Sequence, residues 1–126
     1  MLQPGLRGSA AVTVGPQHTA GSLGSGDVPV FGTPALVALM EQAAVAALAA
    51  HLAPGDSTVG TRLDIAHLAA TPVGQVVRAE AELTAVDGRK LTFAVAAFDG
   101  RQKIGEGRHE RVLINRDRFL AKLSGS

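Results

Sequence analysis

Three residues in this chain carry chemistry at a spacing that could bring them to one place: Thr33, Glu41 and His67. Glu41 is the only charged side chain between Phe31 and His51, in a stretch otherwise made mainly of Ala, Val, Leu and Met. A carboxylate there costs free energy unless it is paired, hydrogen-bonded or protonated. It reads either as a structural acid held by a buried amide or a second copy of the chain, or as a general base. Thr33 precedes Pro34 and heads the same stretch. As a helix N-cap it would satisfy a free backbone N–H, with Pro34 at the first helical position. The same position offers a hydroxyl beside the positive end of a helix, where a developing oxyanion is stabilised. His67 ends the apolar segment Leu63-Asp64-Ile65-Ala66-His67, where it either satisfies a local bond or transfers protons near neutral pH.

Other polar groups carry weaker signals. Asp64 and His67 are three apart, which on a strand puts them on opposite faces and argues against a shared metal. His109-Glu110 begins like a zinc-protease motif, but its fifth position is Leu113 and it falls on a strand pattern, so the motif is rejected. Gly21 to Gly26 matches neither a dinucleotide nor a P-loop spacing. His18 and His51 stand beside a loop and at a helix end, where solvated roles are expected. Arg108 and Arg111 lie on the same strand pattern as surface charges or as partners for a carboxylate or phosphate.

The elements that must position these groups can be read from period and punctuation. Leu36, Leu39, Met40, Ala43 and Ala47 recur at helical spacing after Thr33-Pro34, and Pro54-Gly55 closes the segment. Val37, Ala38 and Val45 make the other side apolar too, so the helix is expected to be covered on most faces. Val77, Ala79, Ala81, Leu83 and Ala85 alternate with polar residues as in a half-buried strand. Asp87-Gly88 and Asp99-Gly100 read as hairpin turns joining it to strands over 91–98 and 104–114. Further strands are expected over 10–14 and 59–67, a terminal helix over 116–123, and a loop or mobile flap over 18–30. A meander that covers one apolar face with a single helix is an α+β hotdog fold, a curved antiparallel sheet wrapped round a helix. Its single sheet layer leaves edges and an outer face that pairing into a homodimer would protect.

Composition narrows the class. With 126 residues, 46% of them hydrophobic, the chain suits one domain with one core, spanning residues 1–126. The net charge of +1, no basic block, no Trp or Tyr and only four Phe argue against nucleic-acid binding. The absence of Cys excludes disulfides, thiolate metal sites and a cysteine nucleophile. No apolar run reaches the roughly 20 residues of a membrane span, and Met1 to Val14 lacks the order of a signal peptide. A cytoplasmic protein is expected.

These residues resemble a known family. Thr33 through Leu39-Met40-Glu41 to Leu52-Ala53-Pro54-Gly55 carries the likeness, as do Gly60-Thr61, Ala66-His67-Leu68-Ala69-Ala70-Thr71-Pro72-Val73-Gly74 and Ile104-Gly105-Glu106-Gly107-Arg108-His109-Glu110-Arg111. Together they resemble the hotdog acyl-CoA thioesterases, most closely the fluoroacetyl-CoA thioesterase type. The resemblance implies a homodimer with active sites at the subunit interface and Thr33, Glu41 and His67 as the catalytic group. It implies that Gly60 contacts the substrate through its backbone and that Arg111 holds the acyl-CoA or the site. It implies hydrolysis of a short-chain acyl-CoA to free acid and CoA, with no metal and no cofactor beyond the CoA of the substrate. The flap departs from the family pattern, which has a longer lid with several aromatic residues. Here Phe31 stands alone among Gly and Ser, as the aromatic candidate for substrate contact. That implies an acyl preference other than fluoroacetyl.

Two rival readings keep the fold and change the function. One is a non-catalytic module that binds acyl-CoA or a small hydrophobic ligand, with Glu41 structural. The other is a hydratase or dehydratase, for which Asp64-Ile65-Ala66-His67 is a poor match to the expected Asp and His pair.

Overall fold

Strand β1, Arg7–Thr13, leads into a connection and then the long helix α2, Thr33–Leu48. The connection carries the short helix α1, Ala20–Leu23. Four strands come next: β2, Asp56–His67; β3, Val76–Asp87; β4, Lys90–Phe98; and β5, Lys103–Asn115. Helix α3, Arg116–Leu123, comes last. The computed structural model describes residues 2–125. The strands form one antiparallel sheet in the order β1-β3-β4-β5-β2, with β1 and β2 at its edges.

Helix α2 lies across the concave face of that sheet. Leu36, Leu39, Met40, Ala43, Ala44, Ala47 and Leu48 form its buried stripe, at the spacing expected from sequence. They meet Val77, Ala79, Ala81 and Leu83 of β3 and Leu91, Phe93, Val95 and Ala97 of β4. Each fully buried Leu of the stripe contributes about 2 kcal/mol through area removed from water. The helix sits very close to β1: a Cβ on Gly8 would collide with the backbone of Ala43 and Ala47.

Four local features differ from the expectations drawn from sequence. Thr33 is the first helical residue rather than the cap, because Gly32 takes the extended N-cap conformation and accepts the first helical bond from Leu36 at 3.0 Å. Ala85 is exposed, because a register shift between Leu83 and Ala85 breaks the two-residue period of β3. The segment expected to be a loop or mobile flap is irregular over 24–29, as a loop, but its first half is ordered by local structure. Thr19 Oγ1 caps α1 by accepting from Ser22 N–H at 3.3 Å, Gly24 closes it in the left-handed conformation, and bridges pair Thr19 with Phe31 and Val30 with Pro72. The β4–β5 turn is held by a side chain: Asp99 Oδ1 accepts from the N–H of Arg101 and of Gln102 at 2.8 and 3.0 Å. Of the two hairpin turns, only that between β3 and β4 uses a glycine at positive φ, Gly88 at 61°.

The helix is also less covered than its composition suggests. Ala38, Gln42, Ala46 and Ala49 are exposed or half-exposed on its outer side, and Val45 keeps 46% of its surface. No helix among the described residues is long and apolar enough to cross a membrane.

Candidate active site

The candidate residues fall into two clusters. In the first, Thr33 Oγ1 lies 2.8 Å from His67 Nδ1. Because Gly32 is the N-cap, the Thr33 hydroxyl is not spent on the helix backbone and is available to the imidazole. His67 is the last residue of β2, and its successor Leu68 fixes the strand end by donating its N–H to Ile104 O at 2.7 Å. Burial holds the imidazole below its ordinary pKa of 6.5, and the Ala69 backbone nearby offsets only part of that. The neutral ring is therefore favoured, and Nδ1 can accept the threonine proton. His67 Nε2 is buried and has no hydrogen-bond partner among the described residues.

The cleft around this pair is lined by Ala20, Val30, Phe31, Leu68, Ala69 and Ala70. Ser25, Gly32, Thr33 and His67 complete the lining, so apolar side chains and polar groups share it. Phe31 is 1% exposed and belongs to the core as much as to the cleft wall. The first turn of α2 faces the same cleft. The N–H groups of Thr33 and Ala35 have no preceding helical carbonyl, and Pro34 has no N–H at all.

The second cluster centres on Glu41. Its Oε2 accepts from Arg111 Nη1 at 2.9 Å, and the Arg111 side chain is 7% exposed against 36% for Glu41. Arg111 also donates through Nε to Thr58 Oγ1 at 2.9 Å and through Nη2 to Thr58 O at 3.1 Å. Gly60 is what makes room: a Cβ there would collide with Glu41 Oε2. Its φ is not in the left-handed region, so close approach of the carboxylate is the reason for glycine at this position. Within one chain, then, Glu41 bonds Arg111 and not Thr33 or His67. Glu41 lies eight helical steps beyond Thr33, about 12 Å along the axis.

His109 completes the second cluster, although the sequence reading gives it no role beyond the rejected zinc pattern. It is fully buried on the inner face of β5, with its ring 6.1 Å from that of Phe93. The available signal is its two-residue spacing from Arg111, which puts both on one face of a strand.

A five-stranded antiparallel sheet curved round one long helix is the hotdog fold, and the class defined by this fold with these residues is the acyl-CoA thioesterases. Residues 14–117 match the family described as fluoroacetyl-CoA-specific thioesterase. A fluoroacetyl-CoA thioesterase from Streptantibioticus cattleyicolor is 47% identical over 94 residues, covering 75% of this chain and 68% of that one. The solved structure of the fluoroacetyl-CoA thioesterase FlK superposes with a TM-score of 0.91 at 39% identity, covering 100% of this chain and 98% of that one. A thioesterase-superfamily member from Thermus thermophilus superposes with a TM-score of 0.89 at 27% identity, over 97% of this chain and 90% of that one. The chain belongs to the fluoroacetyl-CoA-specific thioesterase family and is an acyl-CoA thioesterase.

Proposed function

We propose that this enzyme hydrolyses short, unbranched or lightly branched aliphatic acyl-CoA thioesters, with Thr33 and His67 at the reacting carbonyl. The observation that carries this is the 2.8 Å contact between Thr33 Oγ1 and His67 Nδ1 at the start of α2. The thioester carbonyl sits against the first turn of the helix, whose free N–H groups and positive dipole end stabilise the oxyanion. Thr33 Oγ attacks the carbonyl carbon and its proton passes to His67 Nδ1. The C–S bond then breaks, and the CoA sulfur leaves with the proton that His67 returns. Water cleaves the acyl-threonine ester, releasing the acid. No metal or further cofactor enters this scheme. The acyl group lies in the cleft beside Ala20, Val30 and Leu68. The substrate in the family's name, fluoroacetyl-CoA, is not specifically favoured by that lining.

Glu41 enters from a second copy of the chain. Its distance along the helix keeps it from Thr33 of its own chain, while the edge strand β2 offers an antiparallel pairing surface. A two-fold axis near the centre of β2 turns the Gly60 end of the partner strand toward the His67 end of this one. It thereby carries Glu41 of the partner subunit toward the Thr33–His67 pair, where it orients the hydrolytic water.

Free thiol release from a panel of straight and branched acyl-CoAs tests the reading. Thr33→Val, His67→Ala and Glu41→Gln should each lower kcat by about a hundredfold or more, the range for removal of a positioned acid, base or nucleophile. Thr33→Val should leave thermal stability within about 0.5 kcal/mol, since its hydroxyl caps nothing. Full turnover in all three variants would overturn the assignment. Tight binding of these acyl-CoAs with no thiol release from any of them would point instead to a binding module.

A further inference from the structure

We propose that His109 is a positioning residue for the reaction, acting through Arg111 and Glu41; this rests on the catalytic role proposed for Glu41. The donor and acceptor inventory fixes what the ring does. Arg111 can only donate, and its Nη1 lies 3.1 Å from His109 Nε2, so Nε2 accepts. His109 Nδ1 lies 2.8 Å from the carbonyl oxygen of Arg62, which can only accept, so Nδ1 donates. The ring is therefore the Nδ1–H tautomer with a lone pair on Nε2. The two N–H bonds of Arg111 Nη1 are then divided between Glu41 Oε2 and His109 Nε2. His109 Nε2 is 3.8 Å from Glu41 Oε2 but has no proton to give it.

The same ring anchors the place on β2 where Glu41 rests. The β2–β5 register shifts between Gly60 and Arg62, leaving Thr61 as the extra residue. Bulges bend a strand and re-aim the side chains beyond them. The Arg62 carbonyl just beyond this one is held by His109, and the Thr58 carbonyl before it by Arg111. Two side chains of β5 thus clamp both sides of the stretch that contains Gly60, over which the Glu41 carboxylate lies. His109 makes no hydrogen bond to Thr33 or His67, so it acts by fixing the orientation of Arg111 and the path of β2.

Two measurements test this. In wild-type protein, long-range proton–nitrogen NMR of the imidazoles at pH 7 should show His109 as the Nδ1–H tautomer with an unprotonated Nε2. An Nε2–H tautomer or a doubly protonated ring overturns the proposal whatever the variants do. The second is a double-mutant cycle on thiol release with His109→Phe and Glu41→Gln. Phenylalanine keeps the ring volume beside Phe93 and removes both hydrogen bonds; His109→Gln, which retains an acceptor and a donor, is the conservative control. His109→Phe should lower kcat about ten- to a hundredfold, the range for residues that orient a functional group, with a smaller change in KM. It should cost almost nothing further in the Glu41→Gln background, and His109→Gln should recover part of the loss. An equal loss in both backgrounds means a general structural role and overturns the proposal. If Glu41→Gln alone leaves turnover unchanged, the catalytic role of Glu41 fails and this inference fails with it. A loss in Glu41→Gln with none in His109→Phe removes only the inference about His109.

Discussion

A threonine hydroxyl is a poor nucleophile until a neighbouring base takes its proton, so the protonation state of His67 governs the proposed reaction. Burial is the main influence on that imidazole and pushes its pKa below 6.5, with the Ala69 backbone working weakly in the other direction. The base form is thus already dominant at neutral pH. The acid limb of the kcat/KM profile should therefore fall below pH 6.5, because activity is lost only when the ring is protonated in the free enzyme. The linkage has a definite sign. The unfolded chain takes up a proton on this histidine at a higher pH than the folded protein does, so folding stability drops as pH falls from about 6.5 through the lowered value. His67→Ala should remove that component of the pH dependence of thermal melting. An acid limb above pH 6.5 would contradict a neutral, desolvated His67 acting as base. Gly60 shows the same economy in a different residue: its missing side chain is the space that the Glu41 carboxylate fills.

At the scale of elements, the cleft depends on a hairpin outside its lining. Asp99 caps the β4–β5 turn with Oδ1 and accepts from Thr71 Oγ1 with Oδ2 at 2.8 Å. Thr71 is fully buried, and its carbonyl accepts from Phe31 N–H at 2.8 Å, just before α2 begins. Burial alone would raise the carboxyl of Asp99. Its bonds to Arg101, Thr71 and Gln102, with the Arg101 charge, outweigh burial and hold it below its ordinary value of 3.8. Its contribution to stability is accordingly present above pH 3.8 and lost as pH falls through the lowered value. Asp99→Ala should cost about 1–2 kcal/mol, the loss of two or three modest hydrogen bonds, read as a fall in Tm. Hydrogen exchange should quicken at Phe31 as well as in the turn. Unchanged exchange at Phe31 would show that the hairpin does not support the cleft. This network illustrates what a sequence can and cannot reveal. Helix α2 and strands β3 to β5 are legible because their burial largely keeps a period of 3.6 or 2. The order around Thr19, Thr71 and Asp99 is not, since much of it rests on bonds between residues far apart in sequence. The cap at Gly32 is hidden for a related reason: threonine suits a cap, and only the tertiary bond to His67 gives the Thr33 hydroxyl a different use. Ala85 keeps the alternation in sequence but not in space, because a bulge shifts the register and leaves no mark in an apolar–polar pattern. Arg111 is given a role by the family resemblance, whereas His109, in the same segment, is given none and otherwise matches only the start of a helical metal motif on a strand that cannot host one.

The whole molecule has a surface that a lone chain leaves unfinished. Helix α2 is apolar nearly all round, yet one side with Ala38, Val45, Ala46 and Ala49 is exposed. Such a helix is normally buried on every face. The adjoining edge strand β2 is twelve residues long, and Gly60 through Asp64 at its centre are exposed. Long exposed edges invite pairing. Both features are met at once if two copies join through β2 in antiparallel register, and the same arrangement delivers Glu41 of the partner subunit to Thr33 and His67. This shared-site reading makes a prediction that no single-chain site can mimic. Thr33→Val and Glu41→Gln homodimers should each be nearly inactive. Mixed by unfolding and refolding together, about half of the dimers are expected to be hybrids. Each hybrid has one site with both substitutions and one site with neither, because Thr33 and Glu41 of any site come from different chains. Thiol release should then recover to about a quarter of the wild-type rate per subunit, half the dimers each having one of two sites intact. If Thr33 and Glu41 of one chain served the same site, every site in the mixture would contain one substitution, and no activity would return. The hybrid can be isolated with two different affinity tags, so that a failure to recover activity is read on the hybrid itself and decides against the shared site.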